Sequence, residues 1–375
     1  MSRPDLRPMH RLPVLEARRA SLETCVFCPK LCRSACPVSN AEPSETLTPW
    51  GKMSTAYFLA QGDVPATESF ARTSLACTGC HACRELCDHG NDVAGTLLAA
   101  RAGEAELGIL PESARKVGLA FPQHQERTLR GVAALAAEAG ARASAKTALL
   151  VGCTYVRRAS AEAKAAIAAT LGLLREPVAL VEECCGLPLL YAGETAAFAR
   201  QAAKMAEAVN PFGRVVVVDA GCAAAVRLRY AEVGTHVRPK VELLVSIAAE
   251  DLGRLTPGRG ASEVRYHDPC QLGRGLGVYD APRRVLARAT GRAPQEFVAQ
   301  GNHAACSGAG GLLPVTMPDT ARRIAVARQT EHRDAGGGEI VTACASSLLA
   351  LRKAGPDPVS DLVSWVARAV QPFSP

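Results

Sequence analysis

Eight of the fifteen cysteines in this 375-residue chain crowd into two short runs. In CVFCPKLCRSACP, Cys25, Cys28, Cys32 and Cys36 precede Pro37; in CTGCHACRELCD, Cys77, Cys80, Cys83 and Cys87 precede Asp88. Thiolates are soft ligands, and three at such intervals let one tight loop wrap three corners of an iron–sulfur cube. The second run has the spacing C-x2-C-x2-C-x3-C. The first has one extra residue between its second and third cysteines but keeps the terminal Cys-Pro. Where two such runs carry two clusters, the fourth cysteine of each serves the other cluster. Cys25, Cys28, Cys32 and Cys87 are therefore expected to hold one [4Fe-4S] cluster, and Cys77, Cys80, Cys83 and Cys36 the second. Zinc is the alternative, but its knuckles pair two C-x2-C halves. His81 and His89 lie among these ligands. A Rieske-type centre would need two histidines in place of two cysteines, and all eight cysteines are present, so both histidines are expected beside the ligands or exposed.

A third feature is EECCGLP, Glu182 to Pro188. Neighbouring cysteines sit too close for ordinary disulfide geometry. Two thiolates at a strand end can instead point into one site from a single turn. Cys184 and Cys185 are candidates for the reacting centre of a reductase, or for metal ligands together with Cys153 and Cys222. Four thiolates would hold a further iron–sulfur cluster or zinc, or act without metal as a redox dithiol. A sparser set follows: Cys270, Cys306 and Cys344. Three thiolates leave an open position; the competing reading is a vestigial site whose cysteines pack as small hydrophobes. His267-Asp268, just before Cys270, either tune the thiolate or pack at a strand end. GRGLG (273–277) reads as a turn before a helix rather than a phosphate loop.

The elements that must position these groups are legible in outline. Thr48 is placed to cap a helix with Pro49 at its first position, and residues 91–107 read as another helix. The first module thus looks like a helical ferredoxin, two cluster loops each followed by a helix. Residues 132–146 are alanine-rich and helical. Strands are then expected at 147–153, 177–186 and 214–222, each running into a cysteine, with helices at 160–174 and 195–209 between them. The unit recurs: strands at 263–270 and 339–344, helices at 282–291 and 320–335. Cys184 to Cys222 spans 38 positions, as does Cys306 to Cys344. Alternating strands and helices imply parallel sheets, and the matching order implies an internal duplication.

The expected fold is α+β and multidomain: a helical two-cluster module followed by two duplicated α/β domains with parallel sheets. The expected boundaries are a flexible basic tail at 1–19, the ferredoxin module at 20–105 and a helical linker at 106–145. The first α/β domain follows at 146–240, a linker helix at 241–262, the second, degenerate domain at 263–357 and a C-terminal tail at 358–375. The chain is 48% apolar with 4% aromatics and a net charge of +7. That charge can steer an acidic partner or an anionic substrate without implying nucleic acid. The Arg-rich N-terminus lacks an apolar core, so it is not read as a secretory signal. No window of about 18 apolar residues suggests a membrane span. A cytoplasmic location is expected, peripheral to the inner membrane if a partner anchors it. So many cysteines in a reducing compartment argue for metal or redox chemistry rather than disulfides.

The motifs in order resemble the cysteine-rich CCG family: TPWGK between the runs, Gly152-Cys153, CCGLP at 184–188, Gly221-Cys222 and YHDPCQLGR at 266–274. That family includes heterodisulfide reductase subunits and the iron–sulfur subunits of anaerobic glycerol-3-phosphate dehydrogenase and of glycolate and lactate oxidases. The resemblance covers roughly residues 20 to 355. It implies an oxidoreductase subunit taking electrons from a flavin dehydrogenase partner toward a quinone or other carrier, with a membrane anchor as a further possible partner. A reductase acting on a disulfide or quinone at the CCG cleft is the alternative. The full CCG pattern ends in C-x-x-C. Here Ala225 and Ser347 stand at the last position of each domain, and Ser307 replaces the second member of the double cysteine.

Overall fold

A parallel sheet buried on both faces calls for short apolar, β-branched strands, and the chain supplies them twice. The computed structural model describes residues 7–30, 32–139, 145–260 and 263–373. Strands β1 (Thr147–Leu150), β2 (Val178–Leu180), β3 (Arg214–Val217) and β4 (Lys240–Leu243) form a parallel sheet in the order β2-β1-β3-β4. Strands β5 (Val264–His267), β6 (Gln295–Glu296), β7 (Glu339–Thr342) and β8 (Val359–Asp361) repeat it as β6-β5-β7-β8. Thr147 pairs with Val178 on one side and Arg214 on the other. The chain leaves its first strand to one side and returns on the other. This creates a switch point beyond the strand C-termini, where open α/β sheets place their sites. Cys153, Cys184 and Cys222 follow β1, β2 and β3; Cys270 and Cys344 follow β5 and β7.

Two expected boundaries are corrected here. The 241–262 segment is not simply a linker helix, because its first residues complete β4 before the helix Leu244–Glu250. Residues 358–375 are not a tail. They supply β8 and the helix Leu362–Ala369, which packs on the helix Ser160–Leu174. A polar strand of three residues carries too little alternation to be read from sequence.

The chain parts into two compact units. One comprises residues up to Leu119 with Pro188–Thr195 and Ala305–Ala325; the other comprises Ala120–Leu187, Ala196–Ala304 and Val326 onward. In the first, the helices Arg19–Val26, Pro49–Gln61 and Val93–Glu106 share a core of Leu22, Met53, Leu59 and Leu97. Thr48 caps the second of these, its hydroxyl accepting from Gly51 N–H at 3.0 Å, with Pro49 at the first position. The expectation of a flexible 1–19 tail fails from Met9 onward; residues 1–6 lie outside the described residues. Met9, Leu12 and Leu15 are fully buried in this core. Only Leu15 of the three is helical, yet each buried side chain is worth about 1.5–3 kcal/mol. Pro13, instead of breaking the segment, opens the 3-10 helix Pro13–Arg18. The 106–145 linker holds two helices, Glu112–Leu119 and Phe121–Ala139, and its residues 140–144 lie outside the described residues. Among the described residues no helix is long and apolar enough to cross a membrane.

Candidate iron–sulfur and thiol sites

The two N-terminal cysteine runs line two small recesses in the first unit. Cys25, Cys28, Cys32 and Cys87 line one, with Trp50, His89 and Asn91. Cys36, Cys77 and Cys80 line the other, with Lys52 and His81; Cys83 borders both. Burial pushes the Cys25 thiol up to about 12, and the charges of Cys32, Cys87 and Cys28 add to the effect. Cys83 is likewise raised by burial, then by Cys80, Cys77 and Cys36. Bunched, desolvated sulfurs of this kind call for cations among them. Donors point at the sulfurs: Asn91 Nδ2 at 3.0 Å from Cys25 Sγ, Lys52 Nζ at 3.3 Å from Cys36 Sγ, and Gly79 N–H at 3.4 Å from Cys77 Sγ. Recess, donor set and sulfur-directed N–H groups fit a cubane cluster in each. His81 is buried near Asp92, and His89 is exposed.

The second loop rests on a buried guanidinium. Arg101 is 1% exposed and donates to Ser74 O (3.1 and 2.9 Å), Cys77 O (2.9 Å), Tyr191 O (3.1 Å) and Gly311 O (3.1 Å). Gly310 and Gly311 lie so close to this loop that a Cβ would stand 2.2 Å from Thr78 O and 2.1 Å from Cys77 O respectively. Cys306, in the segment leading to these glycines, accepts from Gly308 N–H at 3.3 Å.

In the second unit, Cys153, Cys184, Cys185 and Cys222 gather beyond β1–β3. Cys184 Sγ lies 3.6 Å from Cys153 Sγ. Helix Phe121–Ala139 closes the site. Gln125 Oε1 accepts from Cys184 N–H at 3.0 Å, and its amide donates to Glu182 O at 3.1 Å. One residue earlier, His124 stacks on Phe121, meets Arg157 at Nδ1, and turns its ring to the Cys153 thiol, to which it hydrogen-bonds. His124, Cys153 and Cys184 offer ligand atoms all within 4.8 Å of one another. The Cys184 thiol and the His124 ring hold Cys153 down to about 6, against the pull of burial. Cys185 is lowered well below the ordinary thiol range by Cys184 and Cys222, which are themselves raised. Tyr230 Oη donates to Cys185 O at 3.1 Å, and Gln201 Nε2 donates to Cys184 O at 3.0 Å. Gly152, at φ +102°, leaves room for Asp219 and for Cys222 Sγ, which a Cβ there would approach to 2.9 and 3.4 Å.

Cys270 and Cys344 belong to the second unit, whereas Cys306 belongs to the first. Burial raises Cys344, and the Asp219 charge adds to this. His267 faces Arg328 at 3.2 Å, and burial with that charge holds it neutral. Asp268 is clamped by both guanidinium nitrogens of Arg283 at 2.8 Å and accepts from Gly301 N–H at 2.9 Å. These two residues therefore anchor the strand end.

The sequence model of the 4Fe-4S dicluster domain matches residues 21–91, and that of the cysteine-rich domain matches 147–227 and again 264–352. The chain carries a 4Fe-4S dicluster domain and two cysteine-rich CCG domains. One relative is a subunit of the dihydromethanophenazine:CoB–CoM heterodisulfide reductase of Methanosarcina barkeri, 26% identical over 354 residues and 86% of each chain. The EtfAB:quinone oxidoreductase of Syntrophomonas wolfei is 33% identical over 135 residues, 35% of this chain and 18% of its own. A hypothetical protein from Helicobacter pylori shares the fold, with a TM-score of 0.55 at 10% identity over 96% of this chain and 76% of that one.

This CCG protein departs from the family pattern in a physically readable way. Ala225, in place of the last cysteine of the first repeat, is fully buried. Ser347, its counterpart in the second, hydrogen-bonds through its backbone and hydroxyl to Cys344 and eases that thiol's burial. Sequence reasoning missed His124, Gln125 and Arg101. A lone histidine or arginine on a helix carries no local signal, since its partners lie on remote segments.

Proposed function

We propose that this CCG subunit carries electrons from a flavoprotein dehydrogenase partner toward a quinone or another carrier. The observation that carries the reading is the crossed lining of the two recesses, Cys87 with the first run and Cys36 with the second. Cys25, Cys28, Cys32 and Cys87 would hold one [4Fe-4S] cluster, and Cys77, Cys80, Cys83 and Cys36 the other. Bound there, such clusters accept and release single electrons. The protein's own part is to keep the sulfurs dry, set their hydrogen bonds and hold the two loops side by side. The relatives' names support an oxidoreductase setting with quinone or heterodisulfide chemistry. The test is anaerobic purification with iron and sulfide analysis, then redox titration followed by electron paramagnetic resonance. About eight irons and eight sulfides per chain with two reducible centres are expected; a chain without redox-active iron would sink the reading.

A second reading rests on the lowered thiols. Cys153 and Cys185 have thiolate character, and the thiolate is the nucleophile in disulfide exchange. A reductase working at Cys184 and Cys185 would turn over a disulfide with a reduced dye, and Cys185→Ser would abolish that turnover.

A further inference from the structure

We propose that Arg101 is a positioning residue for the second cluster, that of Cys77, Cys80, Cys83 and Cys36, and makes it the more easily reduced of the two, so that electrons collect there. This rests on the electron-transfer reading and adds a direction to it.

Three observations carry it. First, Arg101 fastens the second cluster loop to a segment of each cysteine-rich repeat. Its five hydrogen bonds use all five N–H groups of a guanidinium and end on four carbonyls. Ser74 and Cys77 belong to the loop and its approach, Tyr191 to Pro188–Thr195 and Gly311 to Ala305–Ala325. In sequence those two segments belong to the first and second repeat, yet both pack into the first unit. The packing is close on both sides. A Cβ on Gly193, at φ +79°, would stand 2.4 Å from Arg101 O, and one on Gly310 would stand 2.2 Å from Thr78 O. Backbone thus meets backbone, with no room for a side chain between.

Second, the charge is buried and not cancelled. A guanidinium keeps its proton at any ordinary pH, and among the described residues no carboxylate hydrogen-bonds to Arg101. Glu104, one turn along the same helix, is pushed up to about 8 by burial, so near pH 7 it keeps its proton. Burial raises the Cys77 thiol, and the charges of Lys52 and Arg101 work against that rise. The same two charges favour an added electron on a cluster held there.

Third, the cation at the first recess is of another kind. Lys30 lines it but is 37% exposed along its side chain and pairs with Glu45 at 3.7 Å. Phe27, Pro29 and Leu86 on the same loops are exposed, Phe27 by 79%. Water there screens Lys30. Burial alone would make the second cluster the harder to reduce. A charge acts about four-fold more strongly at an effective dielectric of ~20 than across water, so two buried cations reverse that order. The transfer this favours moves one electron from the first cluster to the second and breaks no bond.

The test is redox titration of the anaerobically purified full chain at pH 7, followed by electron paramagnetic resonance. Cys28→Ser and Cys80→Ser tell the two signals apart, since a serine ligand alters its own cluster's signal. The second centre is expected to be reduced first. Arg101→Met should move that centre alone to a more negative potential, and Arg101→Lys, which keeps the charge, should hold it near the parent's value. Lysine lacks the planar fork, so a chelator should strip iron from the second centre several-fold faster in Arg101→Lys than in the parent. A parent whose first centre is reduced first would overturn the proposal, and this arm decides the matter even if Arg101→Met fails to hold its clusters. So would an unmoved potential in Arg101→Met, a lysine variant shifted as far as the methionine one, or a lysine variant with the parent's chelation rate. A chain without two reducible centres would sink the electron-transfer reading itself; two centres in reversed order would sink this proposal alone.

Discussion

Asp219 and Ala345 are joined by a hydrogen bond at 3.3 Å, the Ala345 N–H donating to Oδ2. The other oxygen, Oδ1, accepts from Gly221 and Cys222 N–H at 2.9 and 3.2 Å. One carboxylate therefore caps the helix bearing Cys222 and the helix that starts just after Cys344. Asp219→Ala should cost about 1–3 kcal/mol, since buried helix N–H groups lose their acceptor. Asp219→Asn should retain part of that stability. Anaerobic denaturation of the three proteins checks the order; an alanine variant as stable as the parent would show the cap to be idle.

The contact of Gly311 with the second cluster loop leaves no space for a methyl group. Gly311 has φ +60°, and a Cβ would stand 2.1 Å from Cys77 O. Gly311→Ala should displace Cys77 and lower the iron content from about eight toward about four per chain. Full iron with an unchanged spectrum would mean that the loop yields without cost.

Glu104 makes stability depend on pH. It is buried and accepts from Ser74 Oγ at 2.5 Å. Burial pushes its carboxyl up to about 8, from 4.5 in an exposed chain, against the pull of Ser74 and Arg101. Between those two values the folded state keeps a proton that the unfolded state releases. This contribution is therefore fully present below about pH 4.5, declines as pH rises by up to ~1.4 kcal/mol per unit, and is gone above about pH 8. Glu104→Gln should flatten that slope. Unfolding curves from pH 5 to 9 for both proteins decide it; equal slopes would show Glu104 to be ionised throughout.

Lys52 offers a handle on redox potential. Its Nζ, 2% exposed as a residue, donates to Cys36 Sγ at 3.3 Å and its charge reaches Cys77. A positive charge and a donor at the sulfur both favour the reduced cluster. Lys52→Met should shift one centre to a more negative potential, on the order of tens of millivolts, and leave the other nearly unmoved. Redox titration of both proteins reads the shift directly.

Much of this was legible because it is local. Cysteine intervals of two and three residues determine that one loop presents three sulfurs, as in both N-terminal runs. Apolar runs leading to a cysteine locate β1, β3, β5 and β7, but the strands end earlier than expected, at Leu150, Val217, His267 and Thr342, before Cys153, Cys222, Cys270 and Cys344. The equal spacing of Cys184–Cys222 and Cys306–Cys344 already declares the duplication. Polar β4, two-residue β6 and three-residue β8 were not legible, because their pairing partners, not their own pattern, make them strands. The N-terminal segment misled because its prolines suggested a tail, while its burial depends on Leu22, Met53 and Leu97 lying ready to receive it.

The sequence by itself determined the ligand types and the order in which they are presented. Only the tertiary structure decided what surrounds them. Arg101 meets Tyr191 and Gly311 because distant segments pack against its helix, and His124 meets Cys153 and Cys184 because a helix outside the sheet closes over the strand ends. Buried polar groups and metal ligands are satisfied across space, and no interval along the chain encodes that meeting.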